Sequence, residues 1–351
     1  MTTVPDYRPH FPDTSRHVVA ILGAGAIART AHLPAYRKYG VRVAGVWSRT
    51  ARSARQTLAE FPEAGRAYDS PEELLADPQV TAVDIATRVE HRLPWIEAAI
   101  DAGKHVLAQK PLTTDPDAIE PLLARARSRG LRIAVNQNAR WAPVWRVATL
   151  LTQRGDVGDV VGVTHLLDKP LPPIAGTHFD DIPHMLISDY LVHWTDITRC
   201  WLEGKHVTTV QAHDSRLPGQ PETARNPWSA TVQLGCTDGA TALLRVAGDA
   251  RTRTPTCPFW IHGTEGTIRG SILGRDHVTL ERDGATTSYA LEGAWFVDGF
   301  AGAMGELLSA VDEDREPSNS ATNNLATLRL VDAARSSAEQ HGQPQEVEIA
   351  L

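Results

Sequence analysis

A glycine-rich segment near the start of the chain has the residue types and spacing that bind a dinucleotide. It reads Gly-Ala-Gly-Ala-Ile-Ala from Gly23 to Ala28, and so fits the pattern Gly-x-Gly-x-x-(Gly/Ala). Gly23 permits a tight turn, Gly25 lets the backbone approach a pyrophosphate, and Ala28 allows close packing of helix on strand. The N–H groups of Ala26 and Ile27 would then face the phosphates. An apolar run precedes the motif, which favours a nucleotide-binding turn over an ordinary loop.

The end of the next apolar run indicates which dinucleotide would bind. Domains that prefer NAD usually have an acidic residue there for the ribose 2′-hydroxyl. This chain has Ser48 and Arg49 instead, and no Asp or Glu occurs from residue 41 to residue 59. Arg49, Arg52 and Arg55 supply the donors and positive charge that a 2′-phosphate needs. The pattern predicts NADP and leaves NAD possible, and the alternative interpretation is that these arginines form a solvated helix face.

A second group of residues could transfer a proton. Asp189, His193 and Asp196 are spaced by four and three residues, which predicts one face of a helix over about residues 188–202. A histidine with a pKa near 6.5 can take and return a proton at neutral pH, and a carboxylate one turn away can orient its ring. An isolated histidine on a helix is more often structural, so this spacing alone leaves both roles open.

The elements around these residues predict two domains of different class. From residue 17 to residue 138, strand-like and helix-like segments alternate, which is typical of βαβ units and a parallel sheet. We expect an α/β Rossmann domain there, after an irregular leader at residues 1–16. Residues 139–351 predict an α+β domain, with a Pro-rich loop, KPLPPIAG, and a large, mostly antiparallel open sheet.

Composition excludes several classes of protein. The chain has 351 residues, of which 42% are hydrophobic, so extensive disorder is not expected. Its formal net charge of −7 argues against broad binding to nucleic acid or to an anionic membrane. Three cysteines without a CxxC pair predict a reducing compartment and neither a disulfide framework nor a zinc site. With no signal-peptide pattern and no apolar run of about 18 residues, we expect a cytoplasmic protein.

Taken in order, the motifs identify a family resemblance. The chain resembles the Gfo/Idh/MocA oxidoreductases over roughly residues 17–345. The segments that carry the resemblance are GAGAIA, AYDSPEELLADPQVTAVDIAT, AGKHVLAQKPL, NQNARWAP and SDYLVHWTD. The resemblance implies NAD(P)-dependent hydride transfer between nicotinamide and a secondary alcohol or ketone of a sugar, cyclitol or sugar derivative. It also implies that residues 139–351 bind the substrate and mediate formation of a homodimer or homotetramer.

The resemblance also assigns catalytic residues. The family's Glu-Lys-Pro becomes Gln109-Lys110-Pro111 here, and the family places this lysine beside the nicotinamide and the substrate. Gln109 can bind a ribose hydroxyl but cannot form an ion pair with Lys110. Asp189 and His193 match the second family signature and are implied to act with Lys110 on the substrate.

Further candidate residues follow from their places in the chain. The candidate cofactor contacts outside the glycine motif and the Ser48–Arg49 pair are Thr87, His91, Gln109, Lys110 and Asn138, with Asn136 as the alternative to Asn138. The candidate substrate contacts besides Lys110, Asp189 and His193 are Arg140, His178 and His184. His178 and His184 could equally be surface loop residues. No metal site is expected.

Two other functions remain open at this point. Some relatives keep NAD bound and cleave glycosidic bonds by transient oxidation and elimination. A few others bind a dinucleotide as sugar sensors and tend to lose the catalytic lysine or histidine. Lys110, Asp189 and His193 are all present in this chain, which favours an enzyme.

Overall fold

The computed structural model describes residues 4–168, 176–248 and 256–351. The first three residues of the predicted leader, and all but the last residue of the predicted Pro-rich loop, lie outside these ranges. The chain forms two compact units. The Rossmann unit contains Arg8–Pro143 and Gly293–Leu328, and the sheet unit contains the described residues of Met1–Tyr7, Val144–Glu292 and Arg329–Leu351.

The Rossmann unit is built on a six-stranded parallel sheet. Its strands are β1 (Val19–Leu22), β2 (Val43–Trp47), β3 (Arg66–Ala67), β4 (Ala82–Ile85), β5 (His105–Gln109) and β6 (Ile133–Asn136). Their order in the sheet is β3-β2-β1-β4-β5-β6, and every pairing is parallel. The order reverses between β1 and β4, so the crevice for a ligand lies at the carboxyl ends of these strands. The predicted α/β class is confirmed.

The sheet unit contains a nine-stranded sheet. Its strands are β7 (Val160–Asp168), β8 (His206–Ser215), β9 (Ser229–Cys236), β10 (Thr241–Ala247), β11 (Pro258–Gly263), β12 (Gly266–Ser271), β13 (His277–Arg282), β14 (Ala285–Tyr289) and β15 (Gln345–Ala350). Their order is β14-β13-β12-β11-β7-β10-β9-β8-β15. Only the pair β7–β10 is parallel among the described pairings. The predicted large, mostly antiparallel sheet is therefore confirmed.

Helices flank both sheets. In chain order they are α1 (Leu33–Tyr39), α2 (Ala51–Glu60), α3 (Pro71–Ala76), α4 (Arg92–Asp101), α5 (Glu120–Ser128), α6 (Pro143–Gln153), α7 (Val192–Trp201), α8 (Phe300–Asp312) and α9 (Ala321–Glu339). Ser70 caps α3, because its hydroxyl accepts the N–H of Glu73 at 3.0 Å. In the described residues, no helix is long and apolar enough to cross a membrane.

Three helix starts are wound as π-helical turns rather than as regular α-helix. These turns are Ala28–His32, Leu186–Tyr190 and Trp295–Gly299. The first directly follows the glycine motif, and the second contains Asp189. Such turns occur often at functional sites because they change which side chains share a helix face.

The segment Gly293–Leu328 returns to the Rossmann unit after the antiparallel sheet. Its helix α8 buries Phe300, Met304 and Leu307 in the same apolar core as Ile21 of β1. One face of the parallel sheet therefore depends on residues that come almost three hundred positions later in the chain.

Candidate active site

The glycine turn has the shape of a phosphate cradle. Gly23 has a φ of +109°, and a Cβ atom there would lie 2.9 Å from the carbonyl carbon and oxygen of Ala86. Only glycine fits this position. Gly25 is exposed, and a Cβ atom there would have no atom within 4 Å, so the backbone faces open space. These features fit a dinucleotide pyrophosphate.

The helix that follows the turn offers unpaired backbone donors. The first N–H groups of a helix have no partner inside it, and those of Ala26 and Ile27 are at this place. Ala26 is exposed, whereas Ala28 is completely buried against the sheet. The small side chain at residue 28 thus has the packing role that the motif predicts.

The end of β2 carries hydrogen-bond donors and no carboxylate. Ser48 is half-buried and Arg49 is exposed. Arg49, Arg52 and Arg55 are all exposed, and none forms an ion pair with a residue in the described ranges. Positive charge is therefore available at the place where a ribose 2′-substituent would lie.

Lys110 directly follows β5 and is held through its backbone. The N–H of Lys110 donates to Oε1 of Gln109 at 2.7 Å. On the other side, the guanidinium of Arg92 donates to the carbonyl oxygen of Pro111 and, at 2.6 Å, to that of Thr87. Arg92 is only 2% exposed. It joins the ends of β4 and β5, and no sequence pattern indicated this role.

A buried His–Asp pair lies behind Gln109. Nδ1 of His32 is 2.6 Å from Oδ2 of Asp84, and Nε2 of His32 is 3.2 Å from Nε2 of Gln109. His32 and Asp84 lie outside the motifs that the sequence shows. The available signal was an aspartate inside the apolar run that forms β4, since an unpaired charge there would be costly.

Other polar groups at the strand ends lack protein partners. Oγ1 of Thr87, Oδ1 of Asn136 and both polar side-chain atoms of Gln137 are buried without a hydrogen bond to any described residue. His91 is exposed at the end of a short turn after β4. Unsatisfied polar atoms at the carboxyl ends of these strands suit a polar ligand such as a dinucleotide.

Asn138 and Arg140 contact the returning segment of the Rossmann unit. Oδ1 of Asn138 accepts the indole N–H of Trp295 at 2.6 Å. The guanidinium of Arg140 donates to the carbonyl of Ser318 at 2.7 Å and to Oδ1 of Asn323 at 3.0 Å. These contacts favour a structural role for both residues, and their predicted ligand contacts stay predictions.

In the sheet unit, the expected continuous helix face is interrupted. Asp189 lies in the π-helical turn and is half-buried, whereas His193 lies in the first turn of α7 and is 9% exposed. Asp196 is 1% exposed and lies 3.5 Å from the guanidinium of Arg199, which is also buried. Asp196 therefore has a partner within its own helix.

The two loop histidines differ in their surroundings. His178 is exposed and contacts the ring of Phe179, with a centroid distance of 4.0 Å. His184 is half-buried at a left-handed φ of +49°, and its Nδ1 lies 2.9 Å from Oδ2 of Asp214. This pairing orients the His184 ring, and no comparable contact orients His178 among the described residues.

Asp180 joins two loops of the sheet unit. It is 1% exposed, and its carboxylate accepts the backbone N–H groups of Arg225, Asn226 and Gly176. Burial by itself would raise the pKa of Asp180, but these donors outweigh it and lower the pKa. Within the described ranges, no three His, Cys, Asp or Glu side chains are grouped so that they could hold a metal ion.

Comparison with known proteins identifies the family to which this chain belongs. Residues 18–137 match the model of an oxidoreductase family with an NAD-binding Rossmann fold, and residues 145–269 match the model of the GFO/IDH/MocA C-terminal domain. Together these matches span more than half of the chain.

Two individual relatives are similar to this chain in sequence. A 1,5-anhydro-D-fructose reductase of Ensifer adhaerens is 28% identical over 94% of this chain and 98% of that protein. An inositol 2-dehydrogenase of Mycolicibacterium smegmatis is 30% identical over 61% of this chain and 61% of that protein.

A solved structure shows the same fold. The crystal structure of an oxidoreductase from Agrobacterium radiobacter, in complex with NAD+, L-tartaric acid and magnesium, matches with a TM-score of 0.82 and 22% identity. The match covers 94% of this chain and 98% of that one. On the sequence motifs, the two sheets and these matches, the chain belongs to the Gfo/Idh/MocA family of oxidoreductases, whose Rossmann domain binds NAD.

Proposed function

We propose that this chain is an NADP-preferring dehydrogenase or reductase acting on a secondary alcohol or ketone of a sugar, cyclitol or sugar derivative. One observation carries the proposal: the glycine cradle after β1 and Lys110 after β5 both lie at the carboxyl edge of one parallel sheet. That edge is where open α/β sheets bind their ligands.

The substrate class is supported by relatives. The matched proteins named above include a reductase of an anhydro sugar and a dehydrogenase of a cyclitol. Both names describe oxidation or reduction of the substrate. Hydride transfer to or from an alcohol carbon also needs a proton transfer, which a lysine and a histidine can carry out.

We propose the following roles for the residues of the chain. In the oxidation direction, His193 takes the hydroxyl proton, Lys110 assists by polarising the substrate oxygen, and Asp189 orients His193. The nicotinamide, when bound, accepts or supplies the hydride. Gly23, Gly25, Ala26 and Ile27 hold the pyrophosphate through the backbone.

The preference for NADP is supported by charge. A 2′-phosphate would meet the hydroxyl of Ser48 and the exposed guanidinium groups of Arg49, Arg52 and Arg55, none of which has an acidic partner within the described residues. An NAD-preferring site would place a carboxylate at Ser48 or beside it, and the chain has none there.

A fluorescence titration of the purified protein with NADPH and then NADH tests the cofactor. We expect tighter binding of NADPH, and tighter binding of NADH would reverse the cofactor assignment. Assay of sugars and cyclitols by absorbance of the reduced cofactor then tests the reaction. Cleavage of a glycoside without net change in reduced cofactor would instead support the redox-elimination alternative, and binding without turnover of any substrate would support a sensor.

The homodimer or homotetramer implied by the family resemblance is part of this proposal. Sedimentation equilibrium of the full chain measures it, and a monomer at micromolar concentration would contradict it.

A further inference from the structure

A set of polar side chains crosses the apolar interior of the Rossmann unit beneath Lys110. Asp84 has 0% of its side chain exposed and His32 has 1%. Oη of Tyr36 lies 2.5 Å from the same Asp84 oxygen that contacts His32. Burial of a carboxylate is costly unless it is hydrogen-bonded, and the roles proposed above do not explain why this one is present.

The direction of each hydrogen bond in this set follows from one obligatory donor. The backbone N–H of Lys110 can only donate, so the atom of Gln109 that faces it at 2.7 Å must be the amide oxygen. The NH2 group of Gln109 therefore faces Nε2 of His32 at 3.2 Å. An NH2 group can only donate, so Nε2 of His32 must be an acceptor without a proton.

The remaining bonds end at a single carboxylate. Because Nε2 of His32 carries no proton, Nδ1 carries it and donates to Oδ2 of Asp84 at 2.6 Å. Tyr36 donates to the same oxygen, since burial and the charge of Asp84 raise the pKa of its hydroxyl well above 10. The side-chain amide of Asn136 also faces Nε2 of His32, at 3.4 Å.

We propose that Asp84 and His32 are positioning residues for Lys110, acting through Gln109. Asp84 selects the tautomer of His32, His32 selects the orientation of the Gln109 amide, and Gln109 holds the N–H of Lys110. This role rests on the proposed function of Lys110. It depends on the acceptor at Asp84, so a change that removes this acceptor should disturb Lys110 even if the fold is kept.

The variant Asp84→Leu removes the acceptor that His32 and Tyr36 share. Nothing then holds the ring proton of His32 at Nδ1, and a proton at Nε2 meets the NH2 group of Gln109. Rotating the amide of Gln109 only moves the donor–donor contact to the N–H of Lys110. We expect kcat to fall about 10-fold or more, with the KM for the cofactor within about twofold of wild type.

The variant Asp84→Asn keeps an acceptor at this place. Because Nδ1 of His32 and the hydroxyl of Tyr36 contact the same oxygen of Asp84, one amide oxygen can accept both donors. We expect this protein to keep about half of the wild-type kcat or more. A role for the charge of Asp84 alone predicts that Asp84→Asn loses as much kcat as Asp84→Leu.

Asp312→Leu is the matched control. Asp312 also pairs with a histidine, His17, at 3.1 Å, and it lies at the end of α8 in the same unit. Its loss removes a His–Asp pair without touching a strand end. We expect wild-type kcat from this variant.

Nitrogen-15 NMR of the His32 ring tests the direction in the unaltered protein, so the test does not depend on any variant folding. We expect a protonated Nδ1 and an unprotonated Nε2 in wild type and in Asp84→Asn. Protonation at Nε2 in wild type would overturn the proposal. So would a folded Asp84→Leu with wild-type kcat, or a folded Asp84→Asn no more active than Asp84→Leu.

Failure of the proposed function is distinguishable from failure of this positioning role. A folded Lys110→Ala with wild-type kcat would contradict the proposed function itself. An inactive Lys110→Ala beside a fully active Asp84→Leu would overturn only the positioning role.

Discussion

Two buried histidines, one in each unit, are each 1% exposed but have opposite surroundings. His32 lies among polar groups at the strand ends, with a carboxylate at Nδ1 and amides at Nε2. His165 lies on β7 among aromatic rings and stacks on Trp201 with a centroid distance of 5.3 Å. Its Nε2 has no hydrogen-bond partner among the described residues.

The difference shows that burial alone does not make a histidine functional. Burial lowers the pKa of His165 to about 3, so its ring is neutral and fills space between Trp145, Trp201 and Phe259. His32 is equally enclosed, but its partners assign a direction to each of its hydrogen bonds. A directed set of bonds can position a neighbouring residue, whereas an aromatic cage only stabilises the fold.

The largest effect that we expect comes from a third histidine, His193, which the proposed function places in the reaction. His193→Ala should lower kcat about 1,000-fold, because it removes general acid–base catalysis. The affinity for NADPH should stay within about twofold of wild type. Steady-state kinetics and a fluorescence titration measure the two quantities. His206→Ala, at an exposed position, is the control. Wild-type turnover by His193→Ala on a good substrate would remove this residue from the mechanism.

His165→Phe sharpens the comparison through pH. The pKa of His165 is about 3 in the folded chain, against 6.5 for an unperturbed histidine, so below pH 6.5 the unfolded chain binds a proton that the folded chain does not. The stability that neutral His165 contributes is thus fully present above pH 6.5 and is lost as pH falls towards 3.

Denaturant unfolding at pH 6.5 and pH 4 measures this loss. We expect His165→Phe to lose about 3 kcal/mol less than wild type over this interval. His105, whose pKa burial also lowers, to about 4, remains in both proteins and contributes equally to both. Equal losses in the two proteins would mean that His165 titrates normally.

Ser48→Asp separates cofactor recognition from the positioning of Lys110, within the Rossmann unit. A carboxylate at this place would repel a 2′-phosphate, so the affinity for NADPH should fall about tenfold or more, and that for NADH should fall less. Ser48→Asn is the neutral control of similar size. Equal losses for the two cofactors would contradict our account of the 2′-phosphate site.

The smallest effect calibrates stability for all of these variants. Ser70→Ala removes the cap of α3 and should cost about 1 kcal/mol of unfolding free energy, with kcat unchanged. Ser70→Asp, which keeps a capping oxygen, should retain most of that stability. A loss of kcat in Ser70→Ala would show that stability and activity are coupled in this protein, and the other kinetic effects would then need correction.

The sequence was most informative where a residue's role depends on its neighbours in the chain. The alternating segments predicted the parallel sheet. Ser70, Pro71 and Glu73 are the local signal for the start of α3, because a helix cap involves only residues three apart. The sequence predicts a continuous helix over residues 188–202, whereas the structure has a π-helical turn before α7. No local sequence pattern predicts this turn.

The candidate site divides in the same way. The sequence by itself determined the role of Gly23 in the tight turn, because a turn with positive φ against a strand end excludes every side chain. It also determined the absence of a carboxylate after β2. Only the tertiary structure decided the partners of Asp84 and His32, which are 52 residues apart. It also decided that Asn138 and Arg140 contact the segment Gly293–Leu328. Short-range requirements of the backbone are visible in a local pattern, whereas a buried polar group takes its partner from whichever distant element packs against it.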